Sequence, residues 1–291
     1  MLERICRQLK EVGLTDNFTV VTGAAQRDLV LAYIGDKGAS VLAEPARRNT
    51  FPAIALACAQ LHFEKHCPDD ETVLVMPVDS YVENDYFRLL AELEGVFESQ
   101  KDADLLLVGA IPTFPSAKYG YIVPEDREAA TSLVTEFREK PTEPQAAELI
   151  KKGALWNCGV FVFKLGYMLA ELSKRIALTS YEAVLKQYNA LEKESFDRVL
   201  PENGARAAVC KYGGSWVDIG TWNTLADVMG TRVIGNARLD CACENTQVIN
   251  TTDKPVVVMG AMDMIVVATD EGILVADKLL TPFILEMTDD L

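Results

Sequence analysis

The sequence predicts an α/β fold: a doubly wound, mainly parallel sheet followed by a small all-β appendage. Three observations carry that reading. Apolar runs of strand length alternate with helix-length segments from the amino terminus to about residue 112, the spacing of right-handed crossovers. Those runs, TVLVMP and ADLLLVGAIP among them, are apolar on both faces, as in a sheet covered by helices on either side. From about Gly235 the texture changes to short β segments parted by turn residues.

Taken in order, Leu2, Ile5, Leu9 and Val12 make an apolar stripe, so the chain begins with a helix that Gly13 ends. FTVVTG reads as a strand, QRDLVLAYI as a helix and SVLAEP as a strand. FPAIALACAQL is the next helix, then TVLVMP, the helix NDYFRLLAELEGVFES and the strand ADLLLVGAIP. After Pro112 the rhythm breaks. KYGYIVPED and SLVTEFREKPT read as two short antiparallel strands, followed by the helix PQAAELIKKG and the strand LWNCGVFVFK. Helices around 165–175 and 181–191 precede the strand AAVCKY, and Thr221 is a suitable N-cap for the next helix. The tail segments TQVIN, PVVVMG, MIVVATDE and GILVAD complete the chain, giving expected domains of 1–232 and 233–291.

Composition limits what such a fold could do. At 291 residues, 49% hydrophobic, the chain has ample material for a core. The absence of an apolar run of eighteen residues, together with an amphipathic, charged amino terminus, leads us to expect neither a membrane span nor a signal peptide, and a cytoplasmic location. A net charge of −15 disfavours nucleic-acid partners, which need basic surface. It leaves room for a small anion held by a few local cations or a metal. The seven cysteines show no zinc-like CxxC pairs and sit mostly in apolar runs, so they are expected reduced and buried; Cys241 and Cys243 form the only close pair.

Several residues at strand ends could carry chemistry. Glu44, Arg47, Arg48, Asn49 and Asp79 fall where loops converge at the carboxyl ends of parallel strands. Asp79 and Asp218 could share one hard divalent ion, or each could cap a turn. Glu139 could accept sugar hydroxyls and Lys140 neutralise a phosphate, or the two could form a surface ion-pairing turn before Pro141. Arg47 and Arg48 could hold phosphate oxygens or stand solvated. A carboxylate such as Glu44 can accept the two adjacent donors of a guanine edge. Asn157 could bond a sugar or support the turn at Gly159. His62 and His66 lie four apart but do not form HExxH, and a solvated pair is the better reading.

EPARRNTFPAIALA, MPVDSYV, YGYI, FREKPT, WNCGVFVF and WVDIGTW occur in the order seen in sugar-1-phosphate nucleotidylyltransferases. Across roughly residues 41–222 the chain resembles that family, and the RNT block resembles the bacterial mannose-1-phosphate guanylyltransferases. The resemblance implies a Rossmann-like nucleotidyltransferase fold and transfer of GMP from GTP to mannose 1-phosphate with Mg²⁺. It implies Asp79 and Asp218 as metal ligands, and Glu44 with the following loop, including Arg47, Asn49 and Thr50, at the nucleotide. Gly120, Glu139 and Asn157 would meet the sugar, and Lys140 its phosphate; Asp79, Lys140 and Asp218 would be the catalytic set. The family's amino-terminal GGxGxRLxPLS loop has no counterpart in this sequence, which starts at MLERICRQL about where the family has its first long helix. The missing strand would leave a gap in the sheet. The alternatives are a catalytically impaired or truncated nucleotide-sugar-binding or regulatory homologue, or a nucleotidylyltransferase for another sugar 1-phosphate. No isomerase activity is expected, and a homodimer is.

Overall fold

The computed structural model describes residues 1–14, 18–34, 39–284 and 287. They form two compact units, one of residues 1–78 and 82–216, the other of 79–81 with 217–291. The last of these includes 285, 286 and 288–291, outside the described residues.

The first unit opens with α1 (Leu2–Glu11). A Schellman turn ends it: Gly13, at φ +79°, donates to the Lys10 carbonyl and Leu14 donates to that of Leu9. Strand β1 (Thr19–Gly23), helix α2 (Arg27–Ile34) and strand β2 (Ser40–Glu44) follow, with β1 and β2 paired in parallel from Thr19↔Ser40 to Gly23↔Glu44. Helix α3 (Thr50–Phe63) buries Phe51, Ile54, Leu56 and Cys58 and leads to β3 (Thr72–Val75). The short β4 (Ser80–Val82), α4 (Asn84–Ser99) and β5 (Leu105–Ala110) come next. A hairpin of β6 (Tyr121–Pro124) and β7 (Thr131–Arg138) then precedes α5 (Glu143–Lys151) and β8 (Leu155–Lys164). Helices α6 (Leu165–Ser173), α7 (Tyr181–Gln187) and α8 (Phe196–Val199) pass to β9 (Ala207–Tyr212) and β10 (Trp216–Asp218).

The main sheet has the order β3-β8-β5-β9-β7-β6. Four of its strands, β3, β5, β9 and β6, run one way, and β8 and β7 run against them. Alternation along the central strands divides the core. Leu105 and Leu107 of β5, Phe161 and Phe163 of β8 and Val209 of β9 face a cluster built with α3, α6 and α8. Leu106, Val108, Val160, Val162 and Ala208 face one built with α1 and α4. Both faces are thus dry, which is why these strands read as unbroken apolar runs. Val21 and Leu42 of the β1–β2 pair and Val73 and Val75 of β3 all pack into the α3 cluster. Helix α3 therefore covers two sheets that share no strand pairing among the described residues.

The second unit contains α9 (Trp222–Val228) and strands β11 (Val233–Ile234), β12 (Ala237–Leu239), β13 (Gln247–Asn250), β14 (Val256–Val258), β15 (Met264–Ala268) and β16 (Ile273–Asp277). Its sheets are β11-β13-β15-β16 and β12-β14, parallel except for the β15–β16 hairpin. The contact division falls at Val217, earlier than the change of texture near Gly235. Ala226 and Trp222 of α9 pack on Ile265 and Val267 of β15, so the helix shares its core with the β tail. Residues 79–81 join this unit because β4 pairs with β10.

Among the described residues no helix is long and apolar enough to cross a membrane. Among the described residues no cysteine forms a disulfide, and five of the seven are buried.

Candidate functional site

Gly120, Glu139, Lys140 and Asn157 converge within the first unit, although they come from three different strand ends. The cause is the pairing of β6 with both β7 and β8: Tyr121 opposes Arg138 on one side and Trp156 on the other, and a bulge marks the site in β8. The β8 residues Asn157 and Phe161 pair with Gly109 and Leu107 of β5, so four residues on one strand span two on the other. This bulge carries Gly159 at φ +70° and turns the strand at the site. The Asn157 amide N–H donates to the Gly120 carbonyl at 2.8 Å. A Cβ on Gly120 would lie 2.6 Å from Glu139 Oε2 and 3.2 Å from the Asn157 Cβ, so a larger residue would push the carboxylate out of this place.

Glu139 directly follows β7 with its side chain 9% exposed, and Lys140 Nζ stands 3.6 Å from its Oε1. Burial, reinforced by the Asp197 carboxylate and opposed by Lys140, pushes the Glu139 carboxyl up to about 7. Lys140 occupies φ +46°, a region that non-glycine residues rarely adopt, and its side chain is 60% exposed. The Asn157 side chain is held at both ends. Gly159 donates its N–H to Oδ1 at 3.1 Å, and Nδ2 donates to Asp197 Oδ1 at 2.5 Å.

A second group lies where β2 passes into α3. Glu44 is the last residue of β2, and its Oε2 accepts the hydroxyl of Tyr188 at 2.7 Å. Tyr188 is fully buried, and burial together with Glu44 raises its phenol well above the ordinary value. Arg47 is exposed, whereas Arg48 donates to the Leu191 carbonyl at 2.8 Å. Asn49 caps α3 at φ +72°, its Oδ1 accepting the Thr50 N–H, and the Thr50 hydroxyl accepts the Phe196 N–H at 2.9 Å. Thr50 thus ties α3 to the start of α8.

In the second unit, Asp79 and Asp218 are brought side by side in the chain pairing. β4 begins one residue after Asp79 and pairs with β10, whose last residue is Asp218. The Ile219 N–H donates to the Asp79 carbonyl at 3.1 Å. A Cβ on Gly220 would lie 3.1 Å from Asp218 Oδ1, so the carboxylate rests against a glycine. Among the described residues no group of three or more His, Cys, Asp or Glu assembles a metal cage. Two carboxylates supply the hard oxygen donors that Mg²⁺ takes, and Asp79 and Asp218 are the residues that would hold such an ion.

His62 Nδ1 lies 3.3 Å from Asp69 Oδ1 and its ring packs edge-on against Phe63, while the other histidine, His66, lies beyond the end of α3. The sequence reading missed Tyr188 and Asp197. Asp197 follows the N-cap Ser195 and looks like the acid that many first helical turns carry. Tyr188 looks like a core aromatic. Their partners lie 40 and 144 residues away, and no local spacing signals such contacts.

Residues 1–232 match the family described as nucleotidyl transferase. The chain is 29% identical over 267 residues to a protein of Escherichia coli K12 named mannose-1-phosphate guanylyltransferase, covering 82% of this chain and 55% of that one. It is 30% identical over 266 residues to mannose-1-phosphate guanylyltransferase ManC of Salmonella typhimurium LT2, again covering 82% and 55%. The chain spans about half the length of the curated relatives it matches. A crystal structure described as mannose-1-phosphate geranyltransferase, from Thermus thermophilus, superposes with a TM-score of 0.81 at 27% identity, covering 99% of this chain and 88% of that one.

Proposed function

Because the chain belongs to the nucleotidyl transferase family, we propose that it transfers GMP from GTP to mannose 1-phosphate, giving GDP-mannose and pyrophosphate. The observation that carries this reading is the convergence of Gly120, Glu139, Lys140 and Asn157 around a glycine that admits a carboxylate. A sugar needs several hydrogen-bonding groups held rigidly together, and its phosphate needs a cation beside them. The similarity to two proteins named for the guanylyltransferase reaction supports the choice of substrates.

In this reading an oxygen of the sugar phosphate attacks the α-phosphorus of GTP. The bond from that phosphorus to the bridging oxygen of the β-phosphate breaks, and pyrophosphate leaves with its electron pair. No acid–base pair is required; positioning and charge neutralisation supply most of the acceleration. Lys140 neutralises the sugar phosphate, and Glu139 and Asn157 orient the ring. Glu44, fixed by Tyr188, accepts the guanine donors, and Arg47, Asn49 and Thr50 line the nucleotide loop. Asp79 and Asp218 hold Mg²⁺, which when bound offsets the charge on the phosphate oxygens. The same reading makes the cytoplasm the compartment and a homodimer the assembly.

Pyrophosphate release tests the reading, with GTP, mannose 1-phosphate and Mg²⁺ as substrates and ATP and glucose 1-phosphate as controls. Turnover selective for the first pair is expected. Asp218→Ala should lower it at least about a hundredfold, and full activity in that variant would sink the metal assignment. GDP-mannose binding without turnover would make the chain a binding homologue instead.

A further inference from the structure

The Asn157 amide could sit in either of two orientations related by a flip, and its neighbours decide which end faces a ligand. Gly159 supplies an N–H donor to Oδ1, and Asp197 supplies an acceptor to Nδ2. A carboxylate can accept from the nitrogen but has nothing to give an amide oxygen, so Asp197 rejects the flipped form. One Nδ2 hydrogen is spent on this contact, and the direction of the second is thereby fixed. Asp197 also interacts with Glu139, the other polar side chain against Gly120. The charges facing that pair are Lys140 beside Glu139, Glu202, whose Oε1 accepts the Glu139 N–H at 3.2 Å, and Arg198 on α8.

We propose that Asp197 is a positioning residue for the sugar phosphate: it locks the Asn157 amide so that an N–H is offered to a sugar hydroxyl, and it sets the charge that Glu139 offers to another. The proposal rests on the sugar-phosphate subsite argued above and adds a residue that does not itself touch the sugar. Burial raises the Asp197 carboxyl, and the Asn157 donor pulls it back toward the ionised form that can accept. Glu139 accepts a hydroxyl more strongly when ionised, so sugar binding strengthens as the pH rises through about 7.

Calorimetric titration of the full chain with GDP-mannose and with GDP isolates the contribution of the sugar. The wild type should bind GDP-mannose more tightly than GDP, with the preference growing across pH 7. Asp197→Ala should lose about tenfold or more in GDP-mannose affinity and leave GDP within about twofold, because an unpartnered amide can flip. Asp197→Asn can still turn an oxygen toward Asn157, so it should keep most of the affinity. Its pH midpoint should fall, since an acidic neighbour of Glu139 has gone. Unchanged GDP-mannose affinity in the alanine variant would overturn the proposal, as would an asparagine variant as weak as alanine. Should the alanine variant fail to fold, an unmoved midpoint in Asp197→Asn does the same. No preference for GDP-mannose in the wild type at any pH would remove the subsite itself, and this role with it.

Discussion

Glu139 couples stability to pH in a direction opposite to most carboxylates. Its folded-state value of about 7 lies above the ordinary 4.5, so between those limits the folded chain holds a proton that the unfolded chain releases. The stability tied to this group is complete below about 4.5 and is lost as the pH rises through about 7. The gap corresponds to about 3 kcal/mol for a side chain this buried. Glu139→Gln mimics the protonated form and should abolish that term. Urea unfolding of both proteins at pH 5 and pH 8 would show the wild type losing ground to the variant, and parallel profiles would refute the assignment. Asp197 and Tyr188 show why such groups escape a sequence reading. Each acts through a contact far away in the chain, and each carries a residue type with an ordinary local explanation. Asp79 and Asp218 were legible only through a family resemblance, since spacing alone allows each to be a turn cap.

The elements themselves were more legible than the site. Apolar runs marked β5, β8 and β9, and Gly13 marked the end of α1, because burial on both faces and left-handed backbone leave direct traces in composition. Pairing left none: the insertion of β8 between β3 and β5, and the short β4–β10 ribbon, join segments far apart in the chain or too brief to show a period. Glycine marks another element boundary in the β tail. Gly235 sits at φ +83° between β11 and β12, and a Cβ there would fall 1.8 Å from the Asn250 carbonyl oxygen. That oxygen belongs to the backbone of β13 and cannot swing aside. Gly235→Ala should cost about 2 kcal/mol or more, read as a lowered thermal midpoint. Gly13→Ala shares the positive φ but meets nothing within 4 Å, so it should cost only about 1 kcal/mol. Equal losses at the two sites would show that backbone strain alone, not the clash, governs both.

The net charge of −15 opposes the substrates proposed for this chain. GTP and mannose 1-phosphate are anions, and they must approach a molecule whose long-range field repels them. In the proposed binding mode they would then meet the local cations Arg47 and Lys140, whose action is short in range. Salt separates these two contributions. Raising ionic strength from about 0.01 M to 0.15 M shortens the screening length from about 30 Å to about 8 Å, which removes distant repulsion first and contact attraction last. Association of a fluorescent GTP analogue, followed by stopped flow at constant free Mg²⁺, should therefore accelerate with added salt over that range. Dissociation should change less. Electrostatically steered binding gives the reverse, a rate that falls steeply with salt. A falling rate here would mean that the field at the nucleotide loop is positive despite the acidic whole, and that Arg47 and its neighbours guide the nucleotide in as well as hold it.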